Sequence, residues 1–381
     1  MTPIIIERPE HAKKILILGY YGFGNIGDDA ILRGLIEGIR FQAPKFDIEY
    51  LSPMNLDLNQ GKKYECINWH PSLIWALKHP MLKLKSINRI IKADLLIIGG
   101  GGLFHDIYSI IPFAFFDLIL RYFFGRPIVM VSIGVGPFNS KISPYFFRRV
   151  FKIPYYISVR DKTSYLELQQ LNQRNDVEIS CDLALILSSQ FEARVVSNNN
   201  KQEYSVIISL RRWGNFEVNI PRIAHKIESS MQRIGPYKLV FIPFDSDDIE
   251  MYDLFNQSLK NKSNVEIVLK PLNSQDVMKQ FVKADLVIGM RLHSIILSAM
   301  VGIPSISISY EQKVRDFSQN LPKTLNVCCE LEKIADCDFY DSIQYLLLNN
   351  NTTPPPFIKN CHKKNMDSIK KALSIVEKGE L

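Results

Sequence analysis

Short apolar runs rich in β-branched residues alternate with amphipathic stretches along most of the chain. In the first half, these runs predict strands at 13–20, 46–51, 93–100, 127–133, 155–159 and 177–187. A polar stretch without a clear period, 188–203, separates them from strands predicted at 204–210, 238–243, 265–269, 284–290 and 304–309. Most runs are followed by a helical pattern, which is typical of βα units in parallel sheets.

This alternation predicts an α/β fold with two Rossmann-like, doubly wound domains that face each other across a cleft. We expect a first domain at 1–188, a second at 204–350, and a last helix within 357–381 that packs back on the first domain. In open sheets of this kind, ligands bind beyond the carboxyl ends of the strands. Candidate functional residues are therefore expected at those ends.

The segment 289–294, which reads GMRLHS, carries the strongest chemical signal in the chain. It follows the apolar run ADLVIGM and opens a helical stretch, so Arg291 and His293 should lie at a helix N-terminus. Free backbone N–H groups and the helix dipole favour an anion at such a position. A guanidinium and an imidazole two residues apart predict an anion that is bound next to a proton donor.

The first predicted strand runs into a turn with three glycines in G-x-G-x-x-G spacing, Gly22, Gly24 and Gly27. This spacing is the dinucleotide fingerprint, but Asp28 and Asp29 put negative charge where a pyrophosphate would lie. The next strand also lacks the acidic residue at its end that would hold a ribose. We therefore interpret the glycines as a tight turn, with Asp28 as the helix cap and Asn25 facing the crevice.

Glycine or polar residues follow other predicted strands as well. Four successive glycines, 99–102, precede His105 and Asp106, and such a run is needed where the backbone closely approaches a ligand. Further polar or cationic side chains follow three other strands: Arg160, Arg211, Tyr310 and Lys313.

The chain of 381 residues has a formal net charge of +7. This charge favours anionic partners such as phosphates or a membrane surface, whereas the scattering of the basic residues argues against nucleic acid. The longest apolar stretch, 109–138, is interrupted by charged residues, so it predicts a buried helix at 110–124 and a strand instead of a membrane span. We expect a cytoplasmic protein without a signal peptide. As an alternative for 110–124 and 144–152, their aromatic and basic residues could contact the inner face of the cell membrane.

Six cysteines are present: Cys66, Cys181, Cys328, Cys329, Cys337 and Cys361. Their spacing contains neither a C-x-x-C pair nor another metal-ligand pattern. We expect most of them to be small buried hydrophobic residues in a reducing compartment, and we expect no metal site.

Six strings occur in the order GYYGFGNIGDDAIL, GGGGLFHD, SIGVGP, SVRDKTSY, CDLAL and GMRLHSIILSAMVGIPSISISYEQKV. Together they resemble the polysaccharide pyruvyl transferase family over residues 13–313, and the first and last strings are the specific ones. The resemblance implies a fold similar to GT-B glycosyltransferases and no metal or other cofactor. It also implies transfer of a pyruvyl group from phosphoenolpyruvate to two hydroxyls of a sugar, which gives a cyclic ketal and phosphate. The acceptor would be a unit of a cell-surface polysaccharide, often lipid-linked on the cytoplasmic face.

Phosphoenolpyruvate carries a phosphate and a carboxylate on one small frame, so its site needs clustered cations, and arginine suits both groups. The residues that we assign to this donor are Arg160, Arg211, Arg291, His293, Tyr310 and Lys313. His293 is the predicted general acid, with Arg291 as its catalytic neighbour. By similarity to GT-B enzymes, the acceptor should bind the first domain, at Asn25, Asp28, Gly101, Gly102, His105 and Asp106. His105 departs from the family pattern, in which many members have another polar residue.

Two other functions are compatible with the same pattern. A nucleotide-sugar-dependent glycosyltransferase would also bind its donor through cations of the second domain, and Glu311 is the nearby acidic residue that could hold a ribose. A non-catalytic sugar-phosphate binding protein would be expected to have lost the histidine, whereas His293 is present.

Overall fold

The computed structural model describes residues 13–56, 64–68, 70, 77–106, 126–172, 174–190, 203–268, 273–349 and 353–377. Two predicted features lie wholly or largely outside these residues: the helix at 110–124 and the linker at 188–203. Within the described residues, two parallel sheets follow one another along the chain. The predicted α/β fold with two doubly wound domains is therefore confirmed.

The first sheet contains β1 (Lys14–Leu18), β2 (Asp47–Ser52), β3 (Tyr64–Asn68), β4 (Leu95–Gly99), β5 (Gly102–Phe104), β6 (Ile128–Val135), β7 (Tyr156–Val159) and β8 (Glu178–Ile179). Its order is β3-β2-β1-β4-β6-β7-β8, with β5 paired to β6. The central strands β1, β4 and β6 are apolar and buried over almost their whole length, as expected where helices cover both faces of a parallel sheet. The strand order reverses between β1 and β4, so the loops after these two strands border the ligand crevice.

The second sheet contains β9 (Tyr204–Ser209), β10 (Tyr237–Phe241), β11 (Val265–Ile267), β12 (Leu286–Gly289), β13 (Ser305–Ser309) and β14 (Asn326–Glu330). Its order is β11-β10-β9-β12-β13-β14, which reverses between β9 and β12. The strand β14 was not predicted, because its sequence NVCCE is short and polar at both ends. Its pairing with β13 is what makes it a strand.

Eleven α-helices connect or cover the strands within the described residues: α1 (Ile26–Gln42), α2 (Pro80–Lys92), α3 (Ser143–Val150), α4 (Lys162–Asn172), α5 (Ile220–Ile234), α6 (Ile249–Ser258), α7 (Ser274–Lys283), α8 (Leu292–Met300), α9 (Gln312–Gln319), α10 (Phe339–Leu348) and α11 (Pro356–Glu377). None of them combines the length and the apolar character that a membrane crossing needs. The run at 177–187, predicted as a strand, forms only β8 and the start of a 3₁₀ segment, Leu183–Gln190. This segment contacts both α1 and α11, so its apolar side chains are buried without sheet pairing.

The two domains are in direct contact. One buried apolar cluster contains residues of both sheets and of α8 and α11. The N–H of Ile26, at the start of α1, donates to the carbonyl of Phe244 beyond β10 at 2.9 Å. The last helix, α11, contacts α1, β6 and β7 of the first domain, and the Ser368 hydroxyl lies 2.6 Å from that of Ser158 on β7.

Four of the six cysteines are paired as disulfides in the structure, Cys181 with Cys361 and Cys329 with Cys337. The prediction that most cysteines are simple buried hydrophobic residues is therefore wrong, and the reducing compartment inferred from it loses this support. Spacing could not reveal the first pair, because its members are 180 residues apart and α11 brings them together.

Candidate active site in the cleft

His293 reaches from the second domain to the first. β12 ends at Gly289, and His293 lies in the first turn of α8. Its imidazole packs against Gly27 in the first turn of α1, where an added Cβ would lie 2.0 Å from Nδ1. Gly27 lies within a helix, so glycine is not needed at this position for an unusual backbone dihedral angle. It is needed because it has no side chain. The last glycine of the fingerprint thus makes room for a histidine from the other domain.

Asp182 lies on the other side of the imidazole, with its Oδ2 3.5 Å from Nε2 of His293. The carboxylate is buried, and its Oδ1 accepts a hydrogen bond from the N–H of Ala184 at 3.0 Å. Burial alone would raise the pKa of Asp182, but the charges of His293 and Arg160 hold the pKa below its usual value. An ionised carboxylate at this position can pair with an imidazolium and orient the ring.

The backbone of Asp182 is held by the C-terminal helix. Asn365 on α11 accepts from the N–H of Cys181 at 3.0 Å and donates to the carbonyl of Asp182 at 2.8 Å. Asp182 was not among the predicted site residues, although it belongs to the string CDLAL. One signal in the sequence could have identified Asp182: it is a charged residue within a run of apolar residues, and the structure buries these apolar neighbours.

Asp28 completes this group from the first turn of α1. An added Cβ on Gly101 would lie 3.3 Å from its Oδ1, so the second glycine loop passes close to the carboxylate. Burial raises the pKa of Asp28 to about 6; the charge of His293 opposes this rise and that of Asp182 adds to it. Lys313 and Arg160 also act on Asp28 electrostatically. We call Asp28, Arg160, Asp182, His293 and Lys313 the cleft cluster.

Arg160 enters the cleft cluster from the end of β7. Its Nη1 lies 3.9 Å from Oδ2 of Asp182, and its Nε donates to Oδ2 of Asp161 at 3.0 Å. Only 10% of the Arg160 side chain is exposed, so the ion pair of Arg160 with Asp161 is largely removed from solvent. An added Cβ on Gly134 would lie 3.0 Å from the guanidinium carbon, which explains the glycine at that position of β6.

The loop that follows β4 also borders the cleft cluster. An added Cβ on Gly102 would lie 4.0 Å from Nη2 of Arg160. Burial lowers the pKa of His105, and the charges of Lys313 and Arg160 lower it further. Since Lys313 belongs to the second domain, His105 faces the cleft, as do Gly101 and Gly102.

Two residues predicted to bind the acceptor have structural roles. Asn25 is the N-cap of α1, and its side chain accepts from the N–H groups of Gly27 and Asp28. The prediction that Asp28 is the cap is therefore wrong: two suitable residues lie three positions apart, and only the extended backbone at Asn25 decides between them. Asp106 accepts from the N–H groups of Asn139 and Ser140, each at 2.7 Å, and thereby orders the loop after β6.

A second group of predicted residues lies entirely in the second domain. A cavity of about 320 Å³, the arginine–aromatic pocket, is lined by Arg211, Arg212, Trp213, Gly214, Asp247, Asp248 and Arg291. Arg211 lies over the rings of Trp213 and Tyr310, at 5.2 and 4.9 Å from their centroids, and donates to the Tyr310 hydroxyl at 2.7 Å. Tyr310 thus positions an arginine of this pocket.

Arg291 forms an ion pair with a carboxylate of its own domain. Its Nε and Nη2 donate to both oxygens of Asp248 at 2.9 and 2.6 Å, in the bidentate geometry that arginine favours. Asp248 is fully buried, and burial raises its pKa although Arg291 opposes the rise. Two of the three guanidinium nitrogens therefore already donate to Asp248. The sequence, which predicted that Arg291 binds an anionic ligand, did not indicate this ion pair.

We expect Arg291→Ala to lower the free energy of unfolding by about 3 kcal/mol, because Asp248 would remain buried without its cation. Arg291→Lys keeps the charge but not the fork, so its loss should be smaller. Urea unfolding of the three proteins measures both differences. Equal stability of Arg291→Ala and the parent would show that the ion pair is not structural, and any loss of donor binding could then be assigned to Arg291 directly.

The predicted donor residues thus fall into two groups. Arg160, His293 and Lys313 belong to the cleft cluster, whereas Arg211, Arg291 and the supporting Tyr310 belong to the arginine–aromatic pocket. The two groups adjoin along the chain, because Arg291 and His293 share one strand–helix junction. In the described part of the chain, no three His, Cys, Asp or Glu side chains are grouped as a metal ion would require.

Residues 25–312 match the family described as "Polysaccharide pyruvyl transferase". The chain is also similar to the amylovoran biosynthesis protein AmsJ of Erwinia amylovora. The two are 22% identical over 352 residues, which cover 79% of this chain and 84% of AmsJ. The matched range includes both members of the His293–Gly27 contact.

The fold is similar to the folds of solved proteins that are described as bound to UDP or as acting on UDP-GlcNAc. The MnaA–UDP structure from S. aureus has a TM-score of 0.63 at 12% identity, over 95% of this chain and 97% of MnaA. The UDP-GlcNAc 2-epimerase of Methanocaldococcus jannaschii has a TM-score of 0.61 at 14% identity, over 96% and 100% of the two chains. At these identities the similarity establishes the fold, which is GT-B-like, and not the ligand.

Proposed function

Because the chain belongs to the polysaccharide pyruvyl transferase family, we propose that it transfers the pyruvyl group of phosphoenolpyruvate to two hydroxyls of one sugar in a polysaccharide precursor. The products would be a cyclic pyruvate ketal and phosphate. Family membership makes the chain a transferase of polysaccharide biosynthesis. The donor and the ketal product are the proposed part.

The contact of His293 with both domains is the observation that carries this proposal. Its imidazole belongs to the second domain, packs on Gly27 of the first, and lies 3.5 Å from the buried carboxylate of Asp182. An imidazole, which can donate a proton, and the cations Arg160 and Lys313 all act on Asp28 in the cleft, and this arrangement supports the proposal. Addition to an enol phosphate requires such a group, because the methylene carbon must be protonated while the anionic substrate is held.

The proposed reaction uses the cations to bind the donor and to stabilise its leaving group. Protonation of the methylene carbon builds positive charge on the carbon that carries the phosphate and the carboxylate. One sugar hydroxyl attacks this carbon, phosphate leaves, and a second hydroxyl closes the ketal. A donor bound by Arg211 and Arg291 would present its methylene carbon towards His293, which lies only two residues from Arg291. The departing phosphate would be stabilised by arginine and by helix N-termini.

The acceptor would bind on the first-domain side of the cleft. Gly101, Gly102 and His105 border the cleft cluster there, and their loop offers backbone groups that a sugar can approach. Asn25 and Asp106 support this surface through their hydrogen bonds to the backbone. We propose that the acceptor is a lipid-linked saccharide at the inner face of the cell membrane.

A nucleotide-sugar glycosyltransferase is the alternative on this fold. Its candidate ribose ligand, Glu311, forms an ion pair of 2.5 Å with Lys313, which weakens the candidate but does not remove it. The decisive experiment incubates the protein with phosphoenolpyruvate or a nucleotide sugar, each with synthetic lipid-linked saccharides. Phosphate release together with a mass gain of one pyruvate ketal supports the proposal. Glycosyl transfer from the nucleotide sugar, with phosphoenolpyruvate left intact, would replace it by the alternative.

We propose that the first domain contacts the membrane through one face of α2 and through Leu77, which lies three residues before this helix. Four large apolar side chains, which we call the α2 stripe, are more than half exposed: Leu77, Met81, Leu84 and Ile91. The last three share one face of α2, and Leu77 precedes the helix. Lysines at 78, 85 and 92 run beside them, and residues 77–92 contain no acidic side chain. An apolar stripe flanked by lysines favours an anionic lipid surface.

We expect the double variant Met81→Gln, Leu84→Gln to bind phosphatidylglycerol vesicles at least about 10-fold more weakly than the parent, since two apolar contacts are lost. Vesicle co-sedimentation measures this difference, and added salt should weaken the binding of both proteins. Phe41→Gln, at an exposed position on α1, is the matched control and should bind like the parent. Equal binding of parent and double variant would rule out the α2 stripe as the contact.

A further inference from the structure

We propose that Asp28 takes the proton from the first attacking hydroxyl of the acceptor sugar. The proposal rests on the proposed pyruvyl transfer and adds the partner that His293 requires. His293 delivers a proton to the methylene carbon, so another group must remove a proton from the nucleophile.

The position of Asp28 suits this role. It lies one residue after Gly27, on which the His293 imidazole packs, and its carboxylate faces the loop of Gly101. The residue is half-buried, so part of its surface remains open to a substrate. Asn25 provides the cap of α1, and within the described residues no group donates a hydrogen bond to the Asp28 carboxylate. Within the described residues, no hydrogen bond therefore assigns the Asp28 carboxylate to the support of the fold.

The charges around Asp28 come from several elements. They belong to Asp29 on the same helix, Arg160 after β7, Asp182 before the 3₁₀ segment, His293 on α8 and Lys313 on α9, whereas burial raises the pKa of nearby Tyr21 and keeps it neutral. A carboxylate in the first turn of a helix is normally favoured in its ionised form. Burial outweighs this effect and brings the pKa of Asp28 to about 6.

The two carboxylates beside His293 are thus suited to different tasks. The pKa of Asp182 is held low, so Asp182 stays ionised and can pair with the imidazolium. Asp28, with a pKa of about 6, is mostly ionised at neutral pH and can both accept and release a proton there. Carboxylates whose surroundings move their pKa values apart commonly divide catalytic roles in this way.

The proton balance of the reaction closes with these residues. The first hydroxyl oxygen bonds to the carbon that carries the phosphate, and its proton goes to Asp28 as His293 gives its proton to the methylene carbon, which becomes a methyl group. The second hydroxyl oxygen then bonds to the same carbon as the carbon–oxygen bond to phosphate breaks. Its proton leaves with the phosphate as hydrogen phosphate. The proton on Asp28 returns to His293, which restores the starting state.

We expect Asp28→Asn to lower kcat about 100-fold, with the affinity for phosphoenolpyruvate, measured by calorimetry, changed less than about 3-fold because the donor's cations are untouched. In the parent, kcat/KM for the acceptor should rise with pH through about 6, because Asp28 must be ionised to accept a proton. This rise should be absent in Asp28→Asn. Asp28→Glu keeps a carboxylate, so it should keep the rise at a reduced rate.

Asp29→Asn is the matched control next to Asp28. The Asp29 carboxylate accepts from the N–H of Gly22 at 2.9 Å and so supports the glycine loop. Burial also raises the pKa of Asp29, to about 7, and the charge of Asp28 adds to this rise. The Asp29→Asn variant should therefore keep the rise that belongs to Asp28, moved to slightly lower pH because a neighbouring negative charge is lost, even if its rate is lower. If the parent is active and Asp28→Asn is equally active, Asp28 is not the proton acceptor. The same conclusion follows if Asp28→Asn keeps the rise of kcat/KM with pH. Either result leaves the proposed pyruvyl transfer intact. A parent that never releases phosphate from phosphoenolpyruvate would overturn the proposed function, and this role with it.

Discussion

We expect His293→Ala to lower kcat of pyruvyl transfer by about 10²–10⁴-fold, the usual contribution of a positioned general acid. The imidazole is the proton donor that we propose for the reaction, and its neighbours Gly27 and Asp182 both belong to the other domain. Phosphate release at saturating phosphoenolpyruvate measures the effect.

The control for this variant is His225→Ala, since His225 is exposed on α5 and outside both groups of site residues. It should leave kcat unchanged. Circular dichroism should show the same fold in both variants. If His293→Ala retained the parental kcat while binding of phosphoenolpyruvate weakened, His293 would be a binding residue and the proton would have to come from elsewhere.

We expect Gly27→Ala to lower kcat at least about 100-fold, because a displacement of about 1 Å in a catalytic group can have an effect of that size. The added methyl would lie 2.0 Å from Nδ1 of His293, so the imidazole must move. The helix itself should tolerate the change, since alanine is favoured over glycine in a helix by about 0.5–1 kcal/mol. Low activity in a protein with a folded α1 would therefore identify the contact between the domains as the cause.

A double-mutant cycle separates this cause from a general disturbance. Once His293 is alanine, the methyl of Gly27→Ala has no imidazole to displace, so the second change should cost little further activity. Multiplying losses in the double variant would contradict the interpretation. They would show that Gly27 acts through the glycine loop and independently of His293.

The comparison of α1 with its predicted start shows where local signals are insufficient. Asn25 and Asp28 are both good capping residues, and the sequence does not rank them for this position. The extended backbone at Asn25 makes it the cap and leaves the Asp28 carboxylate to the cleft. The cap thus lies three residues before the predicted one. Asp28 is therefore not used as the cap, and its carboxylate can have a functional role.

The strands show the same limit on a larger scale. Apolar runs such as ILIL and LLIIG predict buried parallel strands because their periodicity is local. The equally apolar Leu183–Leu187 became a 3₁₀ segment because α1 and α11 bury it, and both lie far from it in the sequence. The short edge strand β14 required its partner β13 to be recognised.

The sequence by itself determined the α/β alternation, the two doubly wound domains and the strand ends that carry Arg160, Arg211, Arg291 and His293. These features depend on residues close together in the chain, where periodicity and turn composition are informative. Only the tertiary structure decided that His293 packs on Gly27, that Asp182 faces the same imidazole, and that Arg291 is bound to Asp248. Those pairs join residues 43 to 266 positions apart. Such contacts depend on how the sheets pack together, which the local pattern of residue types does not specify.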